Sequence, residues 1–465
     1  MKKFLSVLLV CIMALTVFGG CAKDEKTSSS KDVQKLVIWS GEAHSKNFYL
    51  ERVAEFNSTL GKELGIEIEY IVKSGVSQEI DLSFVSGQAP DLMTGTGLAK
   101  YSGEGYIAAF EDIEGGSEYM KKFEDFIVPK KNMANGKTYT MPFSVTTCAL
   151  VYNKDMFKAA GIVDDKGEAK APVTWDDVIE YAEKLTNVEK QEFGFIYNAK
   201  DGANWYGDNI AQPVSSNGGW RDGYNPYTGE YDFSSHGDIM RKVMEIRKGG
   251  WYVPGAEGLN NDAARARFAA GKVGMKMAQS FDYAVYTTQF PAQINWGVAP
   301  YPVLDENKFE GQFCTFTGGW MINKDAVEKF GDENILKVYD YFICDEFMVE
   351  LYKAGMYIPY NYELIRDVKL DKGMENWKAF ADMLAISYDA PKFLAHEVDV
   401  TGTAKINEQW DKIWAGEIPV SDIDKVCQEY TDAYNAGKKK YQELHPEYVA
   451  PQTVAEDYVI YSGKN

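Results

Sequence analysis

The sequence predicts an α/β fold that turns mostly helical toward its C-terminus, on three observations. Residues 35–72 run strand, helix, strand. Tyr139 to Ile162, YTMPFSVTTCALVYNKDMFKAAGI, runs from an apolar β-branched strand through Asn153-Lys154-Asp155 into a helix closed by Gly161. From Glu333 onward, amphipathic helical spacing dominates. Strand–helix–strand order calls for a parallel sheet, whose strand ends and following loops form the crevice where ligands bind. Of 465 residues, the roughly 430 beyond the N-terminal segment exceed one ordinary hydrophobic core, so two or three domains are expected.

The first residues read as a targeting segment. Met1-Lys2-Lys3 precede an apolar run from Phe4 to Phe18, then Gly19-Gly20-Cys21 and the polar AKDEKTSSSKD. The apolar run is shorter than the roughly 20 residues a spanning helix needs, so residues 1–20 are expected to be a signal peptide. Val17-Phe18-Gly19-Gly20-Cys21 resembles the lipobox of bacterial lipoproteins. That resemblance implies acylation of Cys21 and a tether over residues 21–34, holding a soluble body on the extracytoplasmic side of the cell membrane. Formal charge is 49 minus 69, or −20, and loss of Lys2 and Lys3 takes it to −22. So acidic a body is repelled by nucleic acid, which is excluded as a partner.

In chain order, Lys35 to Ser40 is a strand, residues 46–60 an amphipathic helix with Phe48, Val53, Phe56 and Leu60 inward, and Ile66 to Val72 the second strand. Ala89-Pro90-Asp91 is a turn with Asp91 in a capping role, Leu92-Met93 a buried strand, and Thr94 to Gly97 its strand-end loop. Asn135-Gly136 predicts a type I′ hairpin within residues 133–141. Thr174 and Asp177 form a capping box before Val178, Ile179, Ala182 and Leu185. Phe193 to Tyr197 is a strand, and Ala203 to Asp208 an aromatic-polar loop after it. A surface hairpin over residues 217–233, helices at His236–Lys248 and Ala263–Gly271, and a strand at Val273–Met277 follow. The late helices are Ile335–Ala354, Met374–Leu384, Ala404–Ala415 and Ile423–Leu444.

LVYNKDMFKAAGI, then Pro172-Val173-Thr174-Trp175-Asp176-Asp177, then FAAGKVGMKM and the late Trp410-x3-Trp414 pair are similar, in that order, to the extracellular solute-binding proteins of ABC importers, of the maltose-binding type. The likeness runs from Trp39 to about Tyr441. It implies a two-lobed, periplasmic-binding-protein-like fold whose lobes close on a ligand about hinge crossings. The crossings are expected at Val145–Cys148 and Gly297–Pro300. Residues 35–146 and 299–340 then form lobe 1, and residues 147–298 and 341–465 form lobe 2. The ligand loops it implies carry Glu42 and His44; Thr94 and Thr96; Asn204, Trp205 and Tyr206; Phe281 and Asp282; and Trp320 beside Gly318-Gly319. Trp205 and Trp320 are expected as stacking rings on opposite walls, because sugar C–H faces stack on aromatic rings; a core Trp320 is the alternative. The family's function implies a sugar or oligosaccharide ligand, ABC permease subunits as partners, and a monomer. Thr146 and Thr147 stand where the maltose-binding pattern has an acidic ligand residue, so maltodextrin is not implied.

Other chemistries find little footing. His44, His236, His396 and His445 are far apart without metal-ligand spacing, and no phosphate-cradling glycine motif or cofactor motif occurs. Cys148, Cys314, Cys344 and Cys427 lack CxxC spacing and are expected mostly reduced and buried, with one disulfide left open. The competing class is a lipid-anchored glycoside hydrolase, which needs two carboxylates roughly 5–10 Å apart; no motif nominates such a pair.

Overall fold

The computed structural model describes residues 33–42, 45–127, 131–225, 228–389 and 405–446. Residues 1–32, with the expected signal segment, Cys21 and most of the expected tether, and His44 lie outside the described residues. In chain order the strands are β1 (Gln34–Ser40), β2 (Ile66–Val72), β3 (Leu92–Met93), β4 (Met133–Ala134), β5 (Lys137–Thr138), β6 (Pro142–Asn153), β7 (Phe193–Phe195) and β8 (Tyr224–Asn225). They continue as β9 (Glu230–Tyr231), β10 (Val273–Gln279), β11 (Trp296–Ala299), β12 (Gln312–Gly318), β13 (Met321–Ile322), β14 (Ile358–Pro359) and β15 (Ser387–Asp389).

The first lobe is built on a sheet of order β13-β3-β1-β2, in which β1 lies parallel to both β2 and β3. Leu36 and Ile38 of β1 point into a core closed by Tyr49, Val53 and Phe56 of the helix Lys46–Ser58. Asp91 has the structural role its turn predicts: its carboxylate accepts the Val37 N–H at 2.7 Å and pairs with Lys329 at 3.1 Å. The β4–β5 hairpin turns through Asn135 and Gly136, both at positive φ, as a type I′ turn requires.

The second sheet has the order β15-β12-β6-β10-β7, with β11 and β14 also on β6. β6 is 12 residues long and almost wholly buried, because it is shared. Its first half lies between β12 and β14, where Val145 faces Phe316 and Ile358. Its second half lies between β10 and β11, where Leu150 faces Met277 and Ala299. The partners change at Thr147–Cys148.

Three expectations are corrected here. The return crossing is not at Gly297–Pro300 but on β12: β11 stays in the second lobe, with Trp296 packed against Tyr283, Tyr286 and Phe380. A third crossing passes through β14. The helices Asp332–Phe342 and Asp345–Lys353 bury Phe342, Phe347, Met348 and Leu351 beside Leu36 and Ile38, so the segment after residue 341 belongs to the first lobe as far as β14. An amphipathic stripe tells that a helix packs, not which sheet it packs on. Finally, Ala203 to Asp208 is no loop: the helix Ala203–Tyr206 runs into a π-helical turn, Gly207–Ala211.

All four described cysteines are free, three of them buried. Cys314 sits opposite Thr147 in the β12–β6 register, so strand alternation puts Cys148 on the other face of the sheet and out of bonding reach. Among the described residues no helix is long and apolar enough to cross a membrane.

Candidate functional site

A cleft opens between the lobes at the ends of β1, β3 and β10 and along the crossing strands. It has two compartments that meet at Glu42, Thr317 and Tyr357.

The first is a pocket of about 260 Å³ lined by first-lobe residues and the first-lobe ends of the crossings. Tyr49, Phe143, Trp320 and Ile343 form its apolar base, and Ser40, Glu42, Thr94, Thr96, Lys131 and Thr140 its polar rim. The rim is held by its own hydrogen bonds. Thr94 Oγ1 accepts the Gly41 N–H at 3.0 Å, tying the loop after β3 to the loop after β1, and Ser77 Oγ accepts the Thr96 N–H at 3.3 Å. Lys131 Nζ reaches Asp389 at 3.2 Å and donates to Thr315 Oγ1 at 3.1 Å, so it joins the pocket to the crossing strand β12. Gly318 and Gly319 sit beside Trp320 at the pocket wall. Their nearest demand is packing: a Cβ on Gly318 would stand 2.5 Å from Thr140 Oγ1, and one on Gly319 would stand 2.8 Å from the Tyr339 hydroxyl.

The second is a trough of about 670 Å³ with one wall from each lobe. Ser144, Val145 and Thr146 of β6 form its floor, Met356, Tyr357 and Ile358 one side, and Arg265, Ser280, Phe281, Val285, Thr288 and Gln289 the other. Tyr357 donates its hydroxyl proton to Glu42 at 3.1 Å and lies 2.9 Å from Ser45 Oγ, at the junction of the compartments.

Arg265, 12% exposed, is fixed from below. Asp282 accepts from Nε at 2.7 Å and from Nη2 at 2.6 Å, and Asp262 accepts from Nη1 at 3.0 Å. Its guanidinium carbon lies 5.4 Å from the centre of the Phe281 ring. Beneath it Lys276 and Asp208 complete a buried ionic group: Lys276 Nζ is 3.7 Å from Asp282, and Gln279 donates to Asp208 at 3.0 Å. Burial pushes the Lys276 ammonium pKa down and pushes the Asp208 carboxyl up to about 6, each disfavouring the charged form.

The predicted site residues separate into three groups. Glu42, Thr94, Thr96, Phe281 and Trp320 line the cleft. Asp282 lies under it, 2% exposed at its side chain, holding Arg265 in place of touching the cleft itself. Asn204, Trp205 and Tyr206 line neither compartment. Trp205 is 0% exposed, edge-on to Tyr197 and Trp414, with Nε1–H donated to Asp411 at 2.8 Å. Tyr206 stacks on Trp410, and its hydroxyl lies 2.7 Å from His236 Nδ1. The two stacking rings on opposite walls are therefore corrected: a tryptophan on the inner face of a helix is core, whatever its polar neighbours. Trp320, 3% exposed, packs among Tyr49, Tyr70 and Phe342 while bordering the pocket base, so the core alternative describes most of its surface.

Sequence reasoning missed Arg265, Lys131 and Tyr357. Tyr357 had a signal: Gly355 ends a helix, and MYIPY after it is a short apolar strand whose Pro359 fits an edge position. Arg265 and Lys131 had none, being one charged residue among many.

The profile of the family described as bacterial extracellular solute-binding protein matches residues 48–346. A galactooligosaccharide-binding protein of Bacillus subtilis (strain 168) is 24% identical over 364 residues, covering 74% of this chain and 77% of that protein. A maltooligosaccharide ABC transporter solute-binding lipoprotein of Streptococcus pneumoniae (strain ATCC BAA-255 / R6) is 24% identical over 393 residues, covering 77% of this chain and 79% of its own length. Among solved structures, the maltose/maltodextrin-binding domain of Bdellovibrio bacteriovorus bound to maltotriose superposes with TM-score 0.63 at 15% identity, over 88% of this chain and all of that one. Apo RafE from Streptococcus pneumoniae gives 0.62 at 16% identity, over 89% of this chain. The structural likenesses speak to the fold alone.

Proposed function

The chain belongs to the bacterial extracellular solute-binding proteins, and from that premise we propose that it captures a neutral sugar or oligosaccharide between its lobes and delivers it to an ABC permease. The single observation that carries the reading is the trough itself: one wall from each lobe, a floor on the shared strand β6, and a lining of hydroxyls, one guanidinium and exposed ring surface. Hydroxyl-rich linings match sugar hydroxyls, and exposed rings match sugar C–H faces. The relatives named for galactooligosaccharide and maltooligosaccharide support the ligand class.

Lipid on Cys21 holds the protein at the membrane, as its lipobox-like segment and the lipoprotein relative support, and the reading takes it as a monomer. Its action is binding and hinge closure without bond cleavage. Glu42 is the only carboxylate among the described residues lining the two compartments, whereas a hydrolase of either stereochemistry needs a pair.

One experiment tests both sides of this reading. The protein is incubated with galacto-, arabino- and maltooligosaccharides while melting temperature and product chromatography are followed. A melting rise without products is expected; new shorter sugars would replace the reading with a hydrolase. Cys21→Ser is expected to release the protein from membranes or leave an unprocessed precursor, and a processed, membrane-bound variant would remove the anchor.

A further inference from the structure

The two compartments differ in which lobes build them, and that difference has a consequence for ligand length. Everything lining the pocket comes from the first lobe or the first-lobe ends of the crossings. Lys131 in that lining is tied to Asp389 of β15 in the second sheet, but a ligand confined there and held by the other residues makes the same contacts whether the second lobe is near or far. A ligand shifts a two-state equilibrium only by its difference in affinity for the two states, so such a ligand cannot close the lobes. The trough is the reverse: Arg265, Ser280 and Phe281 face Met356 and Tyr357 across it, so a ligand lying there gains contacts only when the lobes approach.

Resting on the sugar-binding reading, we propose that the cleft measures chain length. The pocket takes the terminal ring of an oligosaccharide, the chain passes the Glu42–Tyr357 junction, and only the following units reach Arg265 and Phe281 and drive closure. The volumes agree: about 260 Å³ suits a single ring and about 670 Å³ suits two or more, drug-sized ligands filling roughly 300–1,000 Å³. The second-lobe wall is ready for this role before ligand arrives. Of the five guanidinium N–H donors, Asp282 takes two and Asp262 one, so the rest remain for ligand oxygens. With the fork already fixed, little side-chain entropy is lost when they bind. Phe281, 37% exposed, offers ring surface beside it. Asp282 and Asp262 balance the arginine charge, which favours paired hydroxyls of a neutral sugar over a carboxylate.

The test uses three neutral series, glucose to maltotetraose, galactose to galactotetraose and arabinose to arabinotetraose, with calorimetry for affinity and solution scattering for the radius of gyration. In a series that binds, the monosaccharide is expected to bind without compaction, and the trisaccharide to bind at least about tenfold more tightly, equivalent to about 1.4 kcal/mol, with a smaller radius. Phe281→Ala, which leaves no buried ion unpaired, and Arg265→Lys, which keeps the charge but loses the fork, should each lower the trisaccharide-to-monosaccharide affinity ratio about tenfold and suppress compaction. A monosaccharide that compacts the protein as fully as the trisaccharide overturns the proposal while leaving the sugar-binding reading intact. So does an unchanged ratio in both variants. Failure of every series to bind overturns the sugar-binding reading and this proposal with it.

Discussion

The two walls of the cleft are built on different physics. The first-lobe wall is the face of a ring cluster, with Trp320 packed on Tyr49, Tyr70 and Phe342, and its rim of hydroxyls includes Thr94, tied to the backbone of the loop after β1. The second-lobe wall, Arg265 and Phe281, stands on a buried ionic group of Asp282, Lys276 and Asp208. Apolar packing holds its shape over a wide range of pH. A buried ionic group holds only while its charges stay matched, because each uncompensated charge carries a desolvation cost of several kcal/mol. The difference shows that wall position and wall chemistry are separate questions: Trp205, expected as a stacking ring, supports the lobe, while an unremarked arginine faces the cleft.

The contrast is broken most directly at its foundations. Asp282→Asn removes one partner from a buried ion group, a change that typically costs about 3–5 kcal/mol, and Trp320→Ala and Trp205→Ala are expected to cost a similar about 3–5 kcal/mol as core truncations. Urea unfolding measures all three. A Trp205→Ala protein that unfolds like the wild type yet binds sugar weakly would restore that ring to the cleft.

A smaller effect, within the second lobe, is read by pH. His236 is fully buried; its Nε2–H donates to the Trp220 carbonyl at 2.9 Å, so Nδ1 accepts from Tyr206. Burial pushes its pKa down to about 4. The folded protein therefore resists a proton that the unfolded chain accepts: this stability is present above about pH 6.5 and is lost as pH falls toward about 4, about 3 kcal/mol in all. Asp208 runs the other way. Its carboxyl is raised to about 6, so its contribution is present below about pH 4 and is lost as pH rises through about 6. With His236→Gln, urea midpoints between pH 5 and 7 should fall with rising pH, Asp208 being the described carboxyl whose pKa is raised into that range. A variant that keeps the wild-type pH profile would show that His236 does not titrate in this window.

The smallest effect sharpens the junction between the walls. Tyr357→Phe deletes a hydroxyl within reach of Glu42 and Ser45, so stability should fall by only about 1 kcal/mol. Sugar affinity should weaken more than thermal stability does. A melting temperature that falls while affinity holds would make Tyr357 a structural hinge residue only.

Much of the fold was legible because it is local. β2 and the helix Ile423–Leu444 fall where periodicity places them, the capping box at Thr174 and Asp177 forms as its spacing requires, and Asn135-Gly136 turns its hairpin. The strand-end loops with Glu42, Thr94 and Thr96 were placed by parallel-sheet order, and the loop with Phe281 by the family resemblance; all four residues border the cleft. Tyr357, Lys131 and Arg265 were not legible, because each reaches the cleft across a long sequence separation.

By itself, the sequence determined the α/β class, the order of elements and the buried apolar strand through Val145 to Tyr152, since each follows from backbone preference or hydrophobic period within a short window. Only the tertiary structure decided that β12 and β14 carry the return crossings, that the helices to Lys353 belong to the first lobe, that Trp205 is core, and that Asp282 acts through Arg265. Those outcomes depend on which of several apolar surfaces each element meets and on which charges are buried together, and both are set by packing between segments distant in the chain.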